Sequence, residues 1–416
     1  MRLSRRVSTL KPSATIAVMN RAKDLARQGV DVLSFAAGEP DFDTPLTIKQ
    51  AAIDALLAGQ TKYMPTMGDP ETRAAIAAKV TRENGIPGVT PEHVGISAGG
   101  KHALYVIYQC LFDQPDAGSA PGEMVLPVPA WVSYAPLAEL AGGRVVEVPT
   151  TLDTSFKMNP AELRAAINAR TRVVMLNSPS NPCGTMYSEA ELRGLGAVIA
   201  EAARTVAPDL VVVSDEIYEK IAYGGIPHFS IGSIPEIAER VITVNGLSKA
   251  FAMTGWRIGY TTTSGAWGLK FVKAMATLQG QMTTNITSFV YPAIGVALRE
   301  CGAEVEQMRQ AFARRAEQIF GLSQKIPGLK AARPTGAFYL FPDVSAHFGK
   351  SGPDGRAIAS ALDFCESLLV SHRVACVPGE DFGGCGGRHI RISFACSEEQ
   401  IRKGMARLGE FVSQLK

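Results

Sequence analysis

The chain has 416 residues, 46% hydrophobic and 19% charged, against the roughly 25% charged of an average soluble domain. That composition excludes intrinsic disorder, which needs low hydrophobicity and high net charge. Lys and Arg number 42 against 39 Asp and Glu, a net charge of +3, so nucleic acid is not expected as a partner. No apolar run reaches about 18 residues, so no membrane span is expected. The basic start, MRLSRRVSTLKPS, leads into no apolar stretch, and a secretory leader is not expected. The cysteines are Cys110, Cys183, Cys301, Cys365, Cys376, Cys385 and Cys396, an odd set without a C-x-x-C pair. They read as free thiols of a cytoplasmic protein. Cys376, Cys385 and Cys396 lie near His389 in sequence, but their spacing fits no zinc pattern and no metal is expected.

In chain order, a helical pattern over 13–28 leads to an apolar stretch at 32–36 and the turn Gly38-Glu39-Pro40-Asp41. Asp69-Pro70 opens another helix, with Asp at the N-cap and Pro at the first helical position. A short strand at 94–96 precedes a helix at 102–111. Further strands are expected at 144–148, 172–176, 210–214, 241–244 and 257–262, with helices at 159–168 and 188–203. This alternation predicts an α/β fold with a mostly parallel sheet between helices. From about 290 the pattern becomes α+β: a long charged helix through 320, a strand at 337–341, and a helix at 357–371. Strands near 374–377 and 390–394 and a final helix from Ser397 complete it. Residues 113–123 and 351–356 read as surface loops. The expected division is a large α/β domain over 45–289 and a smaller one from 1–44 and 290–416.

Ligands of such sheets bind beyond the carboxyl ends of the strands. Ser97-Ala98-Gly99-Gly100-Lys101 sits there, and paired glycines at a helix start let backbone N–H groups face a phosphate. A plain strand-to-helix turn reads the same way. In Ser214-Asp215-Glu216-Ile217-Tyr218, Asp215 can neutralise a cationic ring nitrogen, bind a metal or cap a helix. Lys249 follows the strand at 241–244; a desolvated amine near other cations becomes a nucleophile, although most lysines are solvated. Arg257 precedes an apolar run and can pair with a phosphate. Pro182 holds Asn181 out of the helical region, free to present its amide. Arg391 shares a strand face with Ser393 and can clamp a carboxylate or sit at an exposed edge. Trp131 and Tyr63 serve either stacking or packing.

These pieces share the order and spacing of one family. They are LKPSATIAV at 10–18, GEPDFDTP at 38–45, SAGGKHAL at 97–104, PAWVSY at 129–134 and NSPSNPCG at 177–184. SDEIY follows at 214–218, SKAFAMTGWRIGY at 248–260, PTGAFY at 334–339 and VPGEDF at 377–382. The chain resembles the class I pyridoxal-phosphate-dependent aminotransferases of fold type I, above all the bacterial aspartate and aspartate/prephenate enzymes. The resemblance implies a seven-stranded, mostly parallel sheet between helices plus a smaller α+β domain. It implies that Lys249 carries pyridoxal 5'-phosphate and moves the proton of a 1,3-shift. Asp215 would keep the pyridinium nitrogen protonated. Tyr218 and Asn181 would bond the ring's phenolate oxygen, and Trp131 would stack on the ring. Arg257, with the backbone of Gly99, Gly100 and Lys101, would bind the phosphate, and Ser248 would join the cofactor contacts. Tyr63 would reach the neighbouring subunit's phosphate, making a homodimer with shared sites. Arg391 and the Gly38 backbone would hold the substrate α-carboxylate, beside Trp131 and Asn181. Lys101 would meet a distal carboxylate, and Ser13 and Thr15 would line the side-chain pocket.

The implied reaction moves the amino group of L-aspartate to 2-oxoglutarate by a ping-pong route. Alternatives are an aspartate/glutamate–prephenate or broader aromatic or alanine aminotransferase, a β-eliminating lyase, and a non-catalytic regulator. The last would need a DNA-binding segment for which the residues before the first helix leave no room. Four departures stand out: Cys183 where the family carries Thr, MPTMGD at 64–69, and extra length at 116–121 and near 205–208.

Overall fold

The computed structural model describes Ser4, Ser8, 14–114 and 120–416, with the backbone alone for 14–17 and 19. After the helix Ala14–Arg27 and strand β1 (Leu33–Ser34) come the helices Leu46–Leu57 and Pro70–Asn84. The second starts as its sequence demands: the Asp69 carboxylate accepts from the N–H groups of Glu71 and Thr72 at 3.1 and 3.0 Å. A central sheet then uses β2 (Val94–Ser97), β3 (Glu123–Val128), β4 (Arg144–Pro149), β5 (Thr171–Asn177), β6 (Val211–Asp215), β7 (Val241–Gly246) and β8 (Gly259–Thr262).

Its strand order is β2-β8-β7-β6-β5-β3-β4. All neighbours are parallel except β8, which runs antiparallel to both β2 and β7. Between β7 and β8 the α-helix Leu247–Ala250 spans only 4 residues, too short to return the chain across the sheet. Alternate residues of the inner strands face opposite layers. Val173 and Met175 pack with Leu104, Tyr108, Phe271 and Met275 on one side. Val174 and Leu176 pack with Leu192, Leu195 and Ile199 on the other. Burial on both faces explains why these strands read as unbroken apolar runs.

β3 escapes the sequence pattern because it holds Pro127 and opens on Glu123, residue types that argue against a central strand. The expected surface loop at 113–123 therefore ends earlier, and residues 115–119 of it and of the 116–121 stretch lie outside the described residues. Glu123 is fully buried, and its charge is met by Arg144 at 2.9 Å and Arg170 at 2.7 Å, with Asn168 donating at 2.7 Å. The helices Leu46–Leu57, Tyr134–Leu140 and Gly265–Gly280 were likewise not expected from the pattern. In the stretch 64–69, Met67 is buried and lies against β2.

The single long helix expected after 290 is two, Tyr291–Glu300 and Gly302–Ser323, broken at Cys301. The first packs with Ile48, Ala52 and Ile76. The second, with Ala361–His372 and Glu398–Ser413, surrounds a core of Phe312, Phe338, Phe364 and Phe411. The helix Ala361–His372 starts later than expected, because Ser360 caps it and Ala357 bridges Ser351. In this region β9 (Tyr339–Leu340), β11 (Val377–Pro378) and β12 (Ile390–Ser393) form an antiparallel sheet of order β11-β12-β9, while β10 (Val374–Ala375) pairs with β1. Among the described residues no helix is long and apolar enough to cross a membrane.

A buried ion network fastens the helix Pro70–Asn84 to the segment after β6. Lys79 pairs with Glu219 and donates to Asn84 Oδ1 at 2.8 Å. Asn84 Nδ2 donates to Glu219 Oε2 at 2.7 Å and to Glu216 Oε2 at 3.3 Å. Ser214 and Ser230 donate to Glu216 Oε1 at 2.9 and 2.8 Å. Burial works against a charge on Glu219, yet the Lys79 ammonium holds its carboxyl down to about 2. Burial, and then Glu219, push Glu216 up to about 8. Lys79→Met leaves the buried Glu219 without its cation, so it should lower unfolding stability by about 3–5 kcal/mol in a urea titration. Adding Glu219→Leu should restore part of the loss; equal losses for single and double variants would refute the pairing.

Candidate active site

The parallel register sets the site. Asn177 of β5 stands beside Asp215 of β6, and Asp215 beside Val244 of β7, so β5 and β6 end together while β7 runs on to Gly246. Beyond those ends lies a cavity of about 320 Å³. Gly38, Gly100, Lys101, Trp131, Asn181, Asp215, Tyr218, Ser248, Lys249, Arg257 and Arg391 line it. They come from separate stretches of the chain, and only folding joins them.

Asp215 Oδ2 accepts from the Tyr134 hydroxyl at 2.7 Å, and Oδ1 accepts from the Ile217 N–H at 3.1 Å. Burial pushes this carboxyl up to about 6, against the pull of Tyr134, Ile217 and the Lys249 charge. It is an acid with neutral donors only in contact, suited to a cationic ring nitrogen. Its neighbour Glu216 points the other way, into the Lys79 network.

Lys249 leaves β7 through a short helix and donates from Nζ to the Gly38 carbonyl at 2.5 Å. Burial is the largest force on its amine and brings it down to about 8; Arg391 and Arg257 add to this, while Glu39 and Asp215 oppose it. The Thr254 hydroxyl donates to Glu39 Oε2 at 2.8 Å and so fixes that carboxylate.

Arg257 takes a left-handed backbone, φ 56°, and donates from Nη1 to the Thr254 carbonyl at 2.9 Å. A Cβ on Gly99 would lie 2.4 Å from Arg257 Nη2, so the glycine is what lets the guanidinium reach the turn. Gly99 precedes the helix Gly100–Leu111, whose free N–H groups and dipole face the same corner. Lys101 stands 5.0 Å over the Trp131 ring, and burial, then Arg257, lower its amine below the ordinary lysine range.

Arg391 on β12 is buried. It donates from Nη1 to Asn181 Oδ1 at 3.1 Å and from Nη2 to the Ala36 carbonyl at 3.0 Å. The rings of Tyr339 and Phe382 lie 4.8 and 5.4 Å from it, and among the described residues its Nε has no partner. The edge-strand surface reading of Arg391 is thereby set aside. Tyr63 is elsewhere: it is 89% exposed and borders a surface groove with Thr283 and Phe289. Ser13 lies outside the described residues, as does the side chain of Thr15. Cys183 is buried with Ala36, Phe156 and Phe382, and acts as core.

The cavity thus brings together a buried acid, an amine of lowered pKa and a guanidinium beside a helix start. The family model for class I and II aminotransferases matches residues 30–408. The chain belongs to that family. This aminotransferase is 38% identical over 415 residues to the aspartate aminotransferase of Bacillus subtilis, covering all of both chains. It is 43% identical over 417 residues to the aspartate/prephenate aminotransferase of Thermus thermophilus, covering 99% of each. Among solved structures, the Rhizobium meliloti aspartate aminotransferase superposes with a TM-score of 0.92 at 35% identity over the whole of both chains. The Thermus thermophilus aspartate aminotransferase with maleate gives 0.88 at 42%, over 99% of this chain and 100% of that one.

Tyr134, Asn177, Ile217, Thr254 and Tyr339 also line the aminotransferase cavity without having been singled out. Tyr134 and Tyr339 each close a motif already quoted, PAWVSY and PTGAFY, and that position was their only signal. In the cofactor-free aminotransferase, labelling of Lys249 by a small aldehyde and borohydride should rise with pH, with a midpoint close to 8. Above that pH the amine is neutral and nucleophilic. Glu39→Gln should move the midpoint down, because the lost carboxylate favours the ammonium form. A midpoint in the ordinary lysine range, about 10.4, would refute the assignment.

Proposed function

We propose that this aminotransferase transfers the amino group of L-aspartate to 2-oxoglutarate by a ping-pong route on pyridoxal 5'-phosphate. The observation that carries the reading is the meeting of Lys249, Asp215, Arg257 and Arg391 in one cavity, with Lys101 at its wall. Pyridoxal phosphate bound there supplies the electron sink that lets an α-proton leave. Lys249 Nζ, whose lowered pKa of about 8 eases loss of its proton, would carry the cofactor and move the proton off and onto substrate carbon. Asp215 would hold the proton on the ring nitrogen. Tyr218 and Asn181 would bond the ring's oxygen, Trp131 would stack on the ring, and Ser248 and Arg257 with the Gly99–Lys101 backbone would hold its phosphate. The free Nε of Arg391 supports a role in gripping the α-carboxylate, beside the Gly38 backbone. Lys101 is the candidate for the distal carboxylate, and a relative's structure holds maleate, itself a dicarboxylate.

The reading extends to a homodimer with shared sites. The 89% exposure of Tyr63, beside Leu57 at 80% and Leu46 at 73%, supports it. Seven unpaired cysteines, four of them buried, support a cytoplasmic location. Ser13 and Thr15 remain candidates for the side-chain pocket. The proposed division is a cofactor-holding domain and a smaller one made by both chain ends. Its later boundary is better set at Cys301 than at 290, because Tyr291–Glu300 packs with Leu46–Leu57. Prephenate is the second acceptor to consider, since the Thermus relative is named for it.

Purified protein should be yellow, and aspartate alone should bleach the visible band; no change with any acidic amino acid would sink the substrate assignment. Lys249→Ala should abolish turnover in a folded protein. Arg391→Leu should lower kcat/KM for aspartate roughly 10²–10³-fold. Lys101→Met should cost aspartate about tenfold and leave alanine within about twofold. A panel including prephenate then assigns the acceptor.

A further inference from the structure

Tyr339 takes no part in the reaction proposed above, yet its side chain touches two groups that do. It is 1% exposed on β9, and its hydroxyl lies 2.9 Å from that of Tyr218. Its ring lies 4.8 Å under the Arg391 guanidinium, and β9 pairs with β12 through Ser393. Gly38 leaves room for the hydroxyl: a Cβ there would be 3.2 Å from Tyr339 Oη.

Either oxygen of the pair can donate, and a count of protons decides which one does. Burial, the largest influence on both, pushes the two hydroxyls above the usual tyrosine range, so each keeps its proton at neutral pH. Among the described residues Tyr339 Oη has one hydrogen-bond partner, Tyr218 Oη. The Tyr339 proton therefore has one acceptor. Both residues border the cavity, and in the reading above it is the Tyr218 proton that has a further acceptor there, the cofactor's ring oxygen. If Tyr218 donated to Tyr339, the ring oxygen would lose its donor, and the Tyr339 proton would have no acceptor among the described residues, at the usual cost of an unmade bond. The satisfied arrangement runs from Tyr339 to Tyr218 to the cavity. The charged groups facing the pair are Arg391, Asp215 and Lys249.

We propose that Tyr339 is a positioning residue: it donates to Tyr218 Oη and so aims the Tyr218 proton into the cavity, at the cofactor's ring oxygen. This rests on the pyridoxal phosphate site proposed above. A hydroxyl that accepts a hydrogen bond is also the stronger donor, so Tyr339 strengthens the bond it aims.

The test is a pH titration of the visible absorption band of the holoenzyme, without substrate. Donation to the ring oxygen stabilises its negative charge and lowers the midpoint. Tyr339→Phe keeps the ring beneath Arg391 and removes the relay, so the midpoint should rise by roughly half to one pH unit. Tyr218→Phe should raise it at least as far. The double variant should match Tyr218→Phe alone, because Tyr339 acts only through Tyr218. KM for aspartate should stay within about twofold for Tyr339→Phe while kcat falls. An unmoved midpoint in Tyr339→Phe beside a raised one in Tyr218→Phe overturns the proposal, and so does a double variant in which the shifts add. An unmoved midpoint in Tyr218→Phe removes the role of Tyr218 and the relay with it. A wild-type protein that takes up no pyridoxal phosphate sinks the site reading itself.

Discussion

The site depends on the alignment of three parallel strand ends. Asn177, Asp215 and Val244 lie side by side across β5, β6 and β7, so the turns leaving these strands open on one cavity. A slip of one residue in β6 would turn Asp215 to the opposite layer and bring Glu216 forward. Glu216 is instead committed to the network of Asn84, Ser214 and Ser230, and Lys79 holds the next acid, Glu219. Two adjacent acids thus take opposite directions, Asp215 into the cavity and Glu216 into the buried network.

Charge inside the cavity follows from burial. Lys249, Arg257 and Arg391 are drawn together with few fixed counter-charges, and burial with that mutual repulsion lowers the lysine amine. Asp215 feels burial in the other sense, and its carboxyl rises. Both shifts bring the groups nearer neutrality. An anionic cofactor and a dicarboxylate would balance the same positive groups.

Both chain ends complete the wall. The Gly38 carbonyl receives the Lys249 ammonium, and the Ala36 carbonyl receives Arg391. A segment near the N-terminus therefore touches the lysine of the central sheet and the arginine of the C-terminal one. Tyr339 adds a link of the same kind, joining Arg391 to Tyr218.

Motif order by itself identified the family and most of the cavity, because a turn that faces a ligand keeps an unusual local composition. Asp69-Pro70 at a helix start and the β-branched runs of β5 to β7 were legible for the same local reason. Tertiary structure decided the rest. Glu123 and Pro127 belong to an inner strand only because Arg144, Arg170 and Asn168, distant in sequence, meet that buried charge. The helix break at Cys301 separates a segment packed on Leu46–Leu57 from one packed on the C-terminal core. The contacts of Tyr134 with Asp215 and of Tyr339 with Tyr218 span 81 and 121 residues. No local pattern encodes such a pairing, since it exists only once the sheet has set its register.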